Sequence, residues 1–460
     1  MALIKSISGI RGTIGGNPGK NLTPLDIVKF TAAYATSLDQ SSTNKKIIIG
    51  RDGRISGSMV SDLCANTLLA CGFNVVDLGL TTTPTVEIAV KEEEAAGGII
   101  LTASHNPQEW NALKLLNSDG EFLNAEAGEK VLLIAENETF DFVPVHKIGT
   151  YKSDNSYLQK HIDAVVNYDL VDVEAIKKAK FKIVIDPVNS SGAIYIPALL
   201  KALGVKDIVV INDEVNGKFE HNPEPLPKNL IGLSNEVIKQ KASLGIAVDP
   251  DVDRLCFVCE DGSMFGEEYT LVAVADYILG KRKGNTVSNM SSTKSLKEIT
   301  HQHGGAYFPS PVGEVNVVHK MKEVNAVIGG EGNGGIIVPD FHYGRDALIG
   351  IGLFLSHLAH SQKSIKQLRG MYPDYFISKN KITLENNVDV KDIFQKIKDK
   401  YKNHPINTED GLKIEFGNDW VHLRTSNTEP ILRIYSESNF ETTAENIAKK
   451  IMKDIHEVTS

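Results

Sequence analysis

The sequence has 460 residues, of which 42% are hydrophobic and 23% are charged, and its formal net charge is −9. These values are typical of an ordinary soluble globular protein of about three domains. The acidic balance argues against a nucleic-acid-binding protein, which usually presents a basic face. Because no run of about 18 apolar residues and no signal-peptide pattern occurs, we expect a cytoplasmic protein with neither a membrane nor a nucleic-acid partner.

The four cysteines are too few to form a disulfide framework in so long a chain. Cys256 and Cys259 form a C-x-x-C pattern that could indicate zinc. They lie in a strand-like run at 255–259, where their odd spacing directs them to opposite faces. We therefore expect buried free thiols.

The first part of the chain alternates predicted helices and strands. Thr23 and Pro24 supply an N-cap and a first helical residue for a helix through Tyr34. This alternation is typical of an α/β layer fold. The remaining predicted elements are strands at 46–50, 74–77 and 95–101 and helices at 63–69 and 131–136, before a mixed polar stretch at 143–152 that we interpret as a linker.

The α/β pattern begins again twice, and the pattern then changes near residue 372. Beyond that point the predicted strands alternate in polarity and accompany two helical segments, which indicates a small α+β domain joined by a hinge. The domain boundaries predicted from these changes are 1–148, 149–255, 256–370 and 371–460. The segments behind them are 181–186, 195–203, 207–211 and 245–248, then 269–279, 326–330 and 347–358, then strands 377–384, 412–416, 420–424 and 431–435 with helices 390–402 and 444–456.

The predicted strand at 95–101 ends in Thr-Ala-Ser-His-Asn-Pro at 102–107. A serine on a tight loop after a strand is well placed to act as a nucleophile or phosphate carrier. Asn-Pro is also a strong turn signal, so the loop alone could be an ordinary Asx-type turn.

A second predicted strand, at 245–248, leads into Asp249, Asp251 and Asp253, followed by Arg254. Three carboxylates at a spacing of two, on a loop, can converge on a hard cation such as Mg²⁺. A single Asp-x-Asp would more often be a solvated acidic turn. A serine that carries phosphate needs such a cation, because phosphoryl transfer depends mainly on positioning and charge neutralisation.

Two further polar loops follow. Gly-Glu-Gly-Asn-Gly-Gly at 330–335 offers Glu331 and Asn333 to sugar hydroxyls, although it could equally be a flexible turn. Arg-Thr-Ser-Asn-Thr-Glu-Pro at 424–430 offers a guanidinium, hydroxyls and turn N–H groups that suit a phosphate dianion, or it is a polar hairpin turn.

Together, the four loops resemble the α-D-phosphohexomutase superfamily, which includes phosphoglucomutases, phosphomannomutases and phosphoglucosamine mutases. The motifs occur in that family's order and span nearly the whole chain. The resemblance implies an α/β fold of three α/β domains with mixed sheets plus a smaller, mobile C-terminal α+β domain around a central cleft.

The resemblance also implies an isomerase of carbohydrate metabolism that interconverts hexose 6-phosphate and hexose 1-phosphate. It implies a phosphoserine at Ser104, one Mg²⁺ per chain and a hexose 1,6-bisphosphate intermediate that also activates the enzyme. The residues implied are, for catalysis, Ser104, Lys114, His105, Arg11 and Arg254; for the metal, Ser104, Asp249, Asp251 and Asp253; and for the substrate, Glu331, Asn333, Arg424, Ser426, Asn427, Thr428 and Arg433.

The sequence departs from the family at two loops. Asn333 and Gly335 stand where relatives often carry serine and histidine, and Glu314 stands where they carry histidine. These departures resemble the archaeal-type branch and leave His105 and Lys114 as candidates for the general acid or base. A carboxylate at Glu314 would suit the 2-amino group of glucosamine phosphate, which is therefore the favoured substrate; a phosphoglucomutase/phosphomannomutase of broad specificity is the alternative.

Two other functions compete with a mutase. The same serine, metal and phosphate loop would make a Mg²⁺-dependent phosphatase if water entered the site. A sugar-phosphate-binding regulator would need no catalysis, but the intact Ser104 and the three aspartates argue against it. We expect a phosphosugar as the partner and a monomer or homodimer as the assembly.

Overall fold

The computed structural model describes residues 3–6, 9–38, 44–383, 389–425 and 431–459. Within these ranges no helix is long and apolar enough to cross a membrane. The chain divides into two compact units: the first comprises Met1–Tyr277 and Asn333–Arg369, and the second comprises Ile278–Gly332 and Gly370–Ser460.

Several helices begin at a capping side chain. Thr23 and Asp26 form a reciprocal capping box at the start of α1, with a proline in its first turn. In chain order the α-helices are α1 (Pro24–Ser37), α2 (Gly57–Ala70), α3 (Thr83–Glu92), α4 (Ala125–Asn137), α5 (Tyr157–Val166), α6 (Val173–Ala179), α7 (Gly192–Ala202), α8 (Ile231–Gln240), α9 (Glu267–Lys281), α10 (Ser295–Gln302), α11 (Glu314–Glu323), α12 (Ala347–Ser361), α13 (Ile365–Arg369), α14 (Val390–Lys400) and α15 (Glu441–Thr459).

The first unit is built on a seven-stranded mixed sheet in the order β1-β2-β6-β5-β3-β4-β7. Its parallel strands β5, β3, β4 and β7 are joined to an antiparallel edge formed by β6, β2 and β1. The strands are β1 (Ile4–Ser6), β2 (Gly9–Thr13), β3 (Lys46–Arg51), β4 (Asn74–Leu80), β5 (Gly97–Leu101), β6 (Trp110–Leu116) and β7 (Tyr151–Ser153).

Both faces of this sheet are buried. Ile47 and Ile49 pack with α1, α2 and α4 on one face, whereas Ile48 packs with α3 and α5 on the other. A strand covered on both faces needs consecutive apolar residues rather than an alternating pattern. The predicted strands at 46–50 and 95–101 are confirmed for this reason.

The interpretation of 143–152 as a linker is wrong at its C-terminal end. Residues Tyr151–Ser153 form β7, which pairs in parallel with β4 and extends the first sheet. The strand has three exposed residues, so no hydrophobic periodicity marks it. The four predicted domain boundaries stay predictions.

A second sheet in the first unit has the order β11-β10-β8-β9, and only the β10–β11 pair is antiparallel. Cys256 and Cys259 lie in β11 and, like Cys64 and Cys71, are buried free thiols, as predicted. The strands are β8 (Lys182–Asp186), β9 (Asp207–Val210), β10 (Leu244–Val248) and β11 (Leu255–Cys259), and β15 (Gly335–Ile337) also belongs to this unit.

The second unit contains a parallel set and an antiparallel sheet. In the parallel set, β12 (Asn285–Asn289) pairs with β13 (Tyr307–Ser310) and β14 (Ala326–Glu331). The antiparallel sheet has the order β16-β20-β19-β18-β17, and α14 and α15 supply apolar residues to the core on one of its faces. Its strands are β16 (Phe376–Thr383), β17 (Ile406–Asn407), β18 (Leu412–Phe416), β19 (Asp419–Thr425) and β20 (Ile431–Ser438). The fold is therefore mixed α/β with a small C-terminal α+β domain, as expected.

Candidate active site and metal centre

The serine loop begins where β5 ends. Ser104 has a φ of 49°, a left-handed backbone conformation that is uncommon for a non-glycine residue. Its N–H donates to Thr102 Oγ1 over 2.9 Å, and the Thr102 hydroxyl donates to Asp52 Oδ2 over 2.6 Å. The loop is therefore held in a strained conformation by hydrogen bonds to the end of β3, as is common at functional sites.

Arg54 organises the same loop. Its guanidinium is buried and pairs through Nε with Asp52 over 3.0 Å. Nη2 donates to the carbonyls of Ser104 and Asn106 over 2.6 and 2.7 Å, and Nη1 donates to those of Pro107 and Trp110 over 2.7 and 2.9 Å. One side chain thus ties together four carbonyls of the serine loop and the start of β6.

The aspartate loop follows β10. Asp249 Oδ1 accepts the N–H groups of Asp253 and Arg254 over 3.2 and 3.1 Å, which closes the turn. Val252 has a φ of 63°, a strained value for a β-branched residue. Ligand oxygens from Asp249, Asp251 and Asp253 lie within 4.8 Å of one another, and all three residues are buried.

The two loops meet directly. The Ser104 hydroxyl donates to Asp249 Oδ2 over 2.7 Å. Ser190 links the aspartate loop to the segment after β3, because its Oγ accepts from Gly53 N and donates to the Pro250 carbonyl over 2.9 and 2.7 Å. Thr83 Oγ1 donates to Asp251 Oδ2 over 2.6 Å.

Two cations pair with the aspartates. Lys114 Nζ lies 2.7 Å from Asp251 Oδ2 and 3.4 Å from Asp253 Oδ2, and Arg345 Nη2 lies 2.6 Å from Asp253 Oδ2. Burial alone would lower the pKa of Lys114, but Asp251 and Asp253 outweigh it and raise that pKa. Burial likewise opposes ionisation of Asp253, but Arg345, Lys114 and Arg254 hold its pKa below the ordinary value. Lys114 is therefore a cation at neutral pH.

The carboxylate oxygens left over fit a hard cation. In the part of the chain that the structure describes, Asp251 Oδ1 and Asp253 Oδ1 are buried and have no hydrogen-bond partner. Burial, with the charges of Asp253 and Asp251, raises the pKa of Asp249 well above its ordinary value. Buried carboxylates are normally paired or bind metal, and oxygen ligands of this kind suit Mg²⁺.

His105 and two arginines lie beside the serine. His105 Nδ1 is 3.3 Å from Ser104 Oγ. Burial first, and then the charges of Arg254 and Arg11, lower the pKa of His105 well below its ordinary value, so its ring is neutral near pH 7. Burial and the charge of Arg254 lower the pKa of Arg11, whereas Asp251 raises it. The predicted catalytic residues of the first unit are thus brought together.

Arg254 also contacts a loop outside the predicted site. Its Nη1 lies 3.5 Å from Glu224 Oε1, and its Nε lies 3.9 Å from Asp249 Oδ2. This arginine is therefore held between two carboxylates at the end of the aspartate loop.

In the second unit, Glu331 lies at the end of β14. Its Oε1 accepts from Asn289 Nδ2 over 2.9 Å and from Gly313 N over 3.0 Å. Glu314, the first residue of α11, is buried and follows Gly313 directly. The backbone at the start of α11 therefore contacts Glu331 one residue before Glu314.

Asn333 belongs to the first unit, where it shapes a turn. Its Oδ1 accepts from Gly335 N over 3.1 Å. Gly334 has a φ of 86°, and an added Cβ would lie 2.1 Å from the Leu255 carbonyl oxygen, so only glycine fits there. Asn333 thus has a turn-forming role in addition to the substrate-binding role predicted for it.

Arg424 and Arg433 lie directly opposite each other on β19 and β20. Arg424 Nε is 3.3 Å from Asp410 Oδ2, and Arg433 Nη1 donates to the Tyr435 hydroxyl over 3.3 Å. Like charges directly across a sheet repel, and an anion between them would remove that cost. The predicted Ser426, Asn427 and Thr428 lie outside the described residues.

Sequence reasoning missed the residues that support the site. Arg54 and Asp52 follow a buried strand at the same edge as the serine loop, which is the one signal that could have found them. Thr83, Ser190 and Arg345 carried no such signal, because their partners are distant in sequence.

Comparison with known proteins agrees with this architecture. The phosphoglucomutase/phosphomannomutase α/β/α domains I, II and III match residues 3–142, 159–262 and 266–375, and the C-terminal domain of the same family matches 385–454. A phosphoglucomutase/phosphomannomutase of Thermococcus kodakarensis is 36% identical over 440 residues, covering 94% of this chain and 95% of the relative. A phosphoglucosamine/phosphogalactosamine mutase of Sulfurisphaera tokodaii is 32% identical over 460 residues, covering 98% and 99%.

A crystal structure of a phosphoglucomutase/phosphomannomutase family protein from Burkholderia thailandensis has the same fold. Its TM-score is 0.85 at 22% identity, and the match covers 100% of this chain and 98% of that one. Fold, site and relatives together define a mutase, an enzyme of the isomerase class. The chain belongs to the phosphoglucomutase/phosphomannomutase family within the α-D-phosphohexomutase superfamily. Its relatives support phosphohexomutase activity.

Proposed function

We propose that the protein interconverts hexose 6-phosphate and hexose 1-phosphate through a phosphorylated Ser104, and that glucosamine phosphate is its preferred substrate. The observation that carries the reaction is the hydrogen bond from Ser104 Oγ to Asp249 Oδ2. It places the serine hydroxyl at a cluster of three buried aspartates. A phosphoryl group on that oxygen would face cations on several sides.

The reaction consists of two half-reactions. In the first, a sugar hydroxyl oxygen attacks the phosphorus on Ser104; the bond from phosphorus to the sugar forms as the P–Oγ bond breaks, and the hydroxyl proton passes through a base to the departing Oγ. The sugar is then a 1,6-bisphosphate, which must turn over to present its other phosphoryl group. In the second, Ser104 Oγ attacks that phosphorus and gives its proton to the base; the bond from this phosphorus to the sugar breaks, and the departing sugar oxygen takes the proton. The enzyme is phosphorylated again and the sugar is isomerised.

The serine and the three aspartates would hold Mg²⁺, which supplies charge neutralisation at the phosphoryl oxygens when bound. Lys114, Arg11 and Arg254 add fixed positive charge around Ser104. Arg424, Arg433 and the loop that includes Ser426, Asn427 and Thr428 would bind the phosphate that is not transferred.

We assign the proton transfer to His105 rather than Lys114. Lys114 is committed to ion pairs with Asp251 and Asp253. The ring of His105 is neutral near pH 7 and its Nδ1 is within reach of the serine oxygen. A neutral imidazole can accept a proton that a lysine ammonium cannot.

The test of the reaction is Ser104→Ala. The purified wild type should carry one phosphate by intact-mass measurement, and the variant should carry none and lose mutase activity while its melting curve stays normal. Chelation of Mg²⁺ should silence the wild type, and added Mg²⁺ should restore it. Robust turnover by a folded Ser104→Ala protein would rule out the phosphoserine mechanism. Release of phosphate from glucose 1-phosphate without isomerisation would favour a phosphatase.

The preference for an amino sugar rests on Glu314. This buried carboxylate lies at the N-terminus of α11, next to Gly313, whose N–H donates to Glu331 over 3.0 Å. Glu331 is a predicted sugar-binding residue, so we expect the Glu314 carboxylate to face the sugar, where it would favour the ammonium at C2 of glucosamine phosphate. An ion pair that solvent reaches when a ligand enters contributes only about 0–1 kcal/mol, so activity on several hexose phosphates is expected, with glucosamine the best.

The substrate assignment is tested by kcat/KM on glucosamine 6-phosphate, glucose 1-phosphate and mannose 1-phosphate. Glu314→Gln should lower the value for the amino sugar by up to about fivefold and leave the other two nearly unchanged. Glu323→Gln, at the exposed end of the same helix, is the matched control. An unchanged ranking in Glu314→Gln would favour a phosphoglucomutase/phosphomannomutase. The cytoplasmic location and the monomeric or dimeric state stay predictions.

A further inference from the structure

Gly335 is a glycine whose backbone does not require one. It lies in β15, is buried, and its φ is not in the left-handed region. A Cβ built at this position would lie 2.3 Å from Cδ of Arg345 and 3.0 Å from its Cγ, whereas the next nearest atom, Asn333 Oδ1 at 3.1 Å, would need to move by only a few tenths of an ångström. The space that a side chain at 335 would fill is therefore occupied by the side chain of Arg345.

Beyond Gly335, the Arg345 side chain ends at the aspartate loop. Its Nη2 lies 2.6 Å from Asp253 Oδ2, and the two side chains are 10% and 0% exposed. The same oxygen is 3.4 Å from Lys114 Nζ, whereas Asp253 Oδ1 has no hydrogen-bond partner among the described residues. The guanidinium thus occupies one oxygen of the carboxylate and leaves the other available.

The backbone of Arg345 is fixed by its neighbour Asp346. Asp346 Oδ1 accepts from the N–H groups at the start of α12, Leu348 and Ile349. Its Oδ2 contacts the Nε2 atoms of His161 and His342 at 2.9 and 3.1 Å. Arg345 is therefore anchored at its backbone and at its guanidinium, so its position is set by the fold.

We propose that Arg345 is a positioning residue that serves as a permanent counter-ion of Asp253. We also propose that residue 335 must be glycine because the Arg345 side chain occupies the space that a Cβ would fill there. Arg345 orients Asp253 so that Oδ1 faces the cation, and its positive charge moderates the affinity of the aspartates for a divalent cation. This inference deepens the proposed function, because it rests on the metal centre assigned there.

The first test measures Mg²⁺ binding by isothermal titration calorimetry on the full chain, without substrate. Arg345→Ala should bind Mg²⁺ about tenfold more tightly, because a positive charge beside the cation is removed. Its kcat should fall by about tenfold or more, with a smaller change in KM, because Asp253 is no longer held in one orientation. Arg345→Lys should restore the Mg²⁺ affinity toward that of the wild type. Lys201→Met, on an exposed helix position, controls for the loss of a cation elsewhere.

The second test is a double-mutant cycle between positions 335 and 345. Gly335→Ala should displace Arg345 and therefore shift Mg²⁺ affinity and kcat in the same directions as Arg345→Ala. In the Arg345→Ala background the same substitution should have little further effect, because the obstructing side chain is gone. Gly232→Ala is the matched control, since an added Cβ there meets no atom within 4 Å.

Additive effects in the cycle, or an Arg345→Ala protein with unchanged Mg²⁺ affinity, would overturn the proposal. If Arg345→Ala does not fold, Gly335→Ala and Arg345→Lys are measured in its place. A Gly335→Ala protein whose Mg²⁺ affinity and kcat are unchanged, or shift in the opposite directions, would refute the proposal. Neither measurement of Mg²⁺ binding requires catalytic turnover. A failure of the phosphoserine mechanism, as tested with Ser104→Ala, can therefore be told apart from a failure of this proposal. A wild type that does not bind Mg²⁺ would remove the metal centre itself.

Discussion

Arg54 shows how much of the site depends on one side chain that takes no part in the proposed chemistry. Its guanidinium pairs with a buried aspartate and with four carbonyls of the serine loop. Phe219 lies against its face, with 5.1 Å between the ring centroid and Cζ. Removing the Arg54 guanidinium should lower the stability of the fold, because the buried carboxylate of Asp52 would lose its counter-ion.

Arg54→Met should therefore lower the free energy of unfolding by about 3–5 kcal/mol and reduce kcat sharply. Arg54→Lys should recover part of the stability but little of kcat, since one ammonium cannot reach four carbonyls. Denaturant unfolding and steady-state kinetics measure the two effects. Arg51→Met is the control, because Arg51 bonds a single carbonyl and should cost less than about 1 kcal/mol. A stable, fully active Arg54→Met would refute the role.

The assignment of the proton to His105 makes a prediction at the same scale. His105→Gln should lower kcat by about 10²–10⁴-fold and leave KM and the melting temperature nearly unchanged. Because burial and two arginines lower the pKa of His105, the acid limb of the wild-type kcat profile should lie well below pH 6.5 and disappear in the variant. An acid limb that persists in His105→Gln would assign proton transfer to another group.

These residues also mark what the sequence could predict. Ser104 and the three aspartates were found because a polar residue directly after an apolar strand can be recognised from the sequence alone. Arg54 contacts carbonyls some 50 residues away, and Arg345 contacts Asp253 across 92 residues. Such contacts depend on strand order and side-chain direction, which periodicity does not encode.

Among the elements, the strand pair β19–β20 shows most clearly how the fold places residues that are predicted to bind the substrate. Val421, Leu423, Leu432 and Ile434 of these strands enter the core, so their neighbours Arg424 and Arg433 share the opposite face. The alternating pattern of these strands predicted them correctly, because a sheet with its apolar core on one face favours this alternation, although Trp420 and His422 on the other face are also buried. By contrast, α3 lacks a clear apolar stripe in sequence and was missed.

The opposed arginines predict a binding effect rather than a chemical one. Arg424→Gln should raise KM by roughly tenfold to a hundredfold, through loss of a charged hydrogen bond of about 1.5–3 kcal/mol, and change kcat little. Arg433→Gln should behave alike. Lys449→Gln, on an exposed face of α15, is the control.

A fall in kcat with unchanged KM would contradict this prediction. It would place Arg424 at the phosphate in transfer rather than at the one that stays bound, and the phosphate-binding role of the β19–β20 loop would have to be reassigned.

For the molecule as a whole, one buried histidine sets part of its response to acid. Burial lowers the pKa of His422 to about 4, against the opposing carbonyl and charge of Asp410. The ring contacts Ser291 Oγ at 2.8 Å and the Asp410 carbonyl oxygen at 2.6 Å. The unfolded chain binds this proton near pH 6.5, so the stability that neutral His422 contributes is complete above that pH. It is lost as the pH falls from about 6.5 to about 4.

The wild type should therefore lose about 2–3 kcal/mol more unfolding free energy than His422→Gln between pH 7 and pH 4.5. Denaturant unfolding at both pH values measures the difference, and His404→Gln, at an exposed position, is the control. Equal acid sensitivity in wild type and His422→Gln would show that the proton is taken up elsewhere.

The hydroxyl of Ser190, which bonds both to Gly53 N and to the Pro250 carbonyl, also bears on the order of folding. These bonds span 137 and 60 residues, and the bond from Ser104 to Asp249 spans 145. The bonds from Gly53 to Ser190 and from Ser104 to Asp249 join the first sheet to the second, so neither sheet of the first unit can complete the site alone. We expect these long loop closures to follow the formation of the sheets. During refolding, helical circular dichroism should recover before the capacity of Ser104 to accept phosphate. For that interval the chain would be structured but inert, and a slowly docking pair of sheets would limit how fast newly made enzyme becomes active.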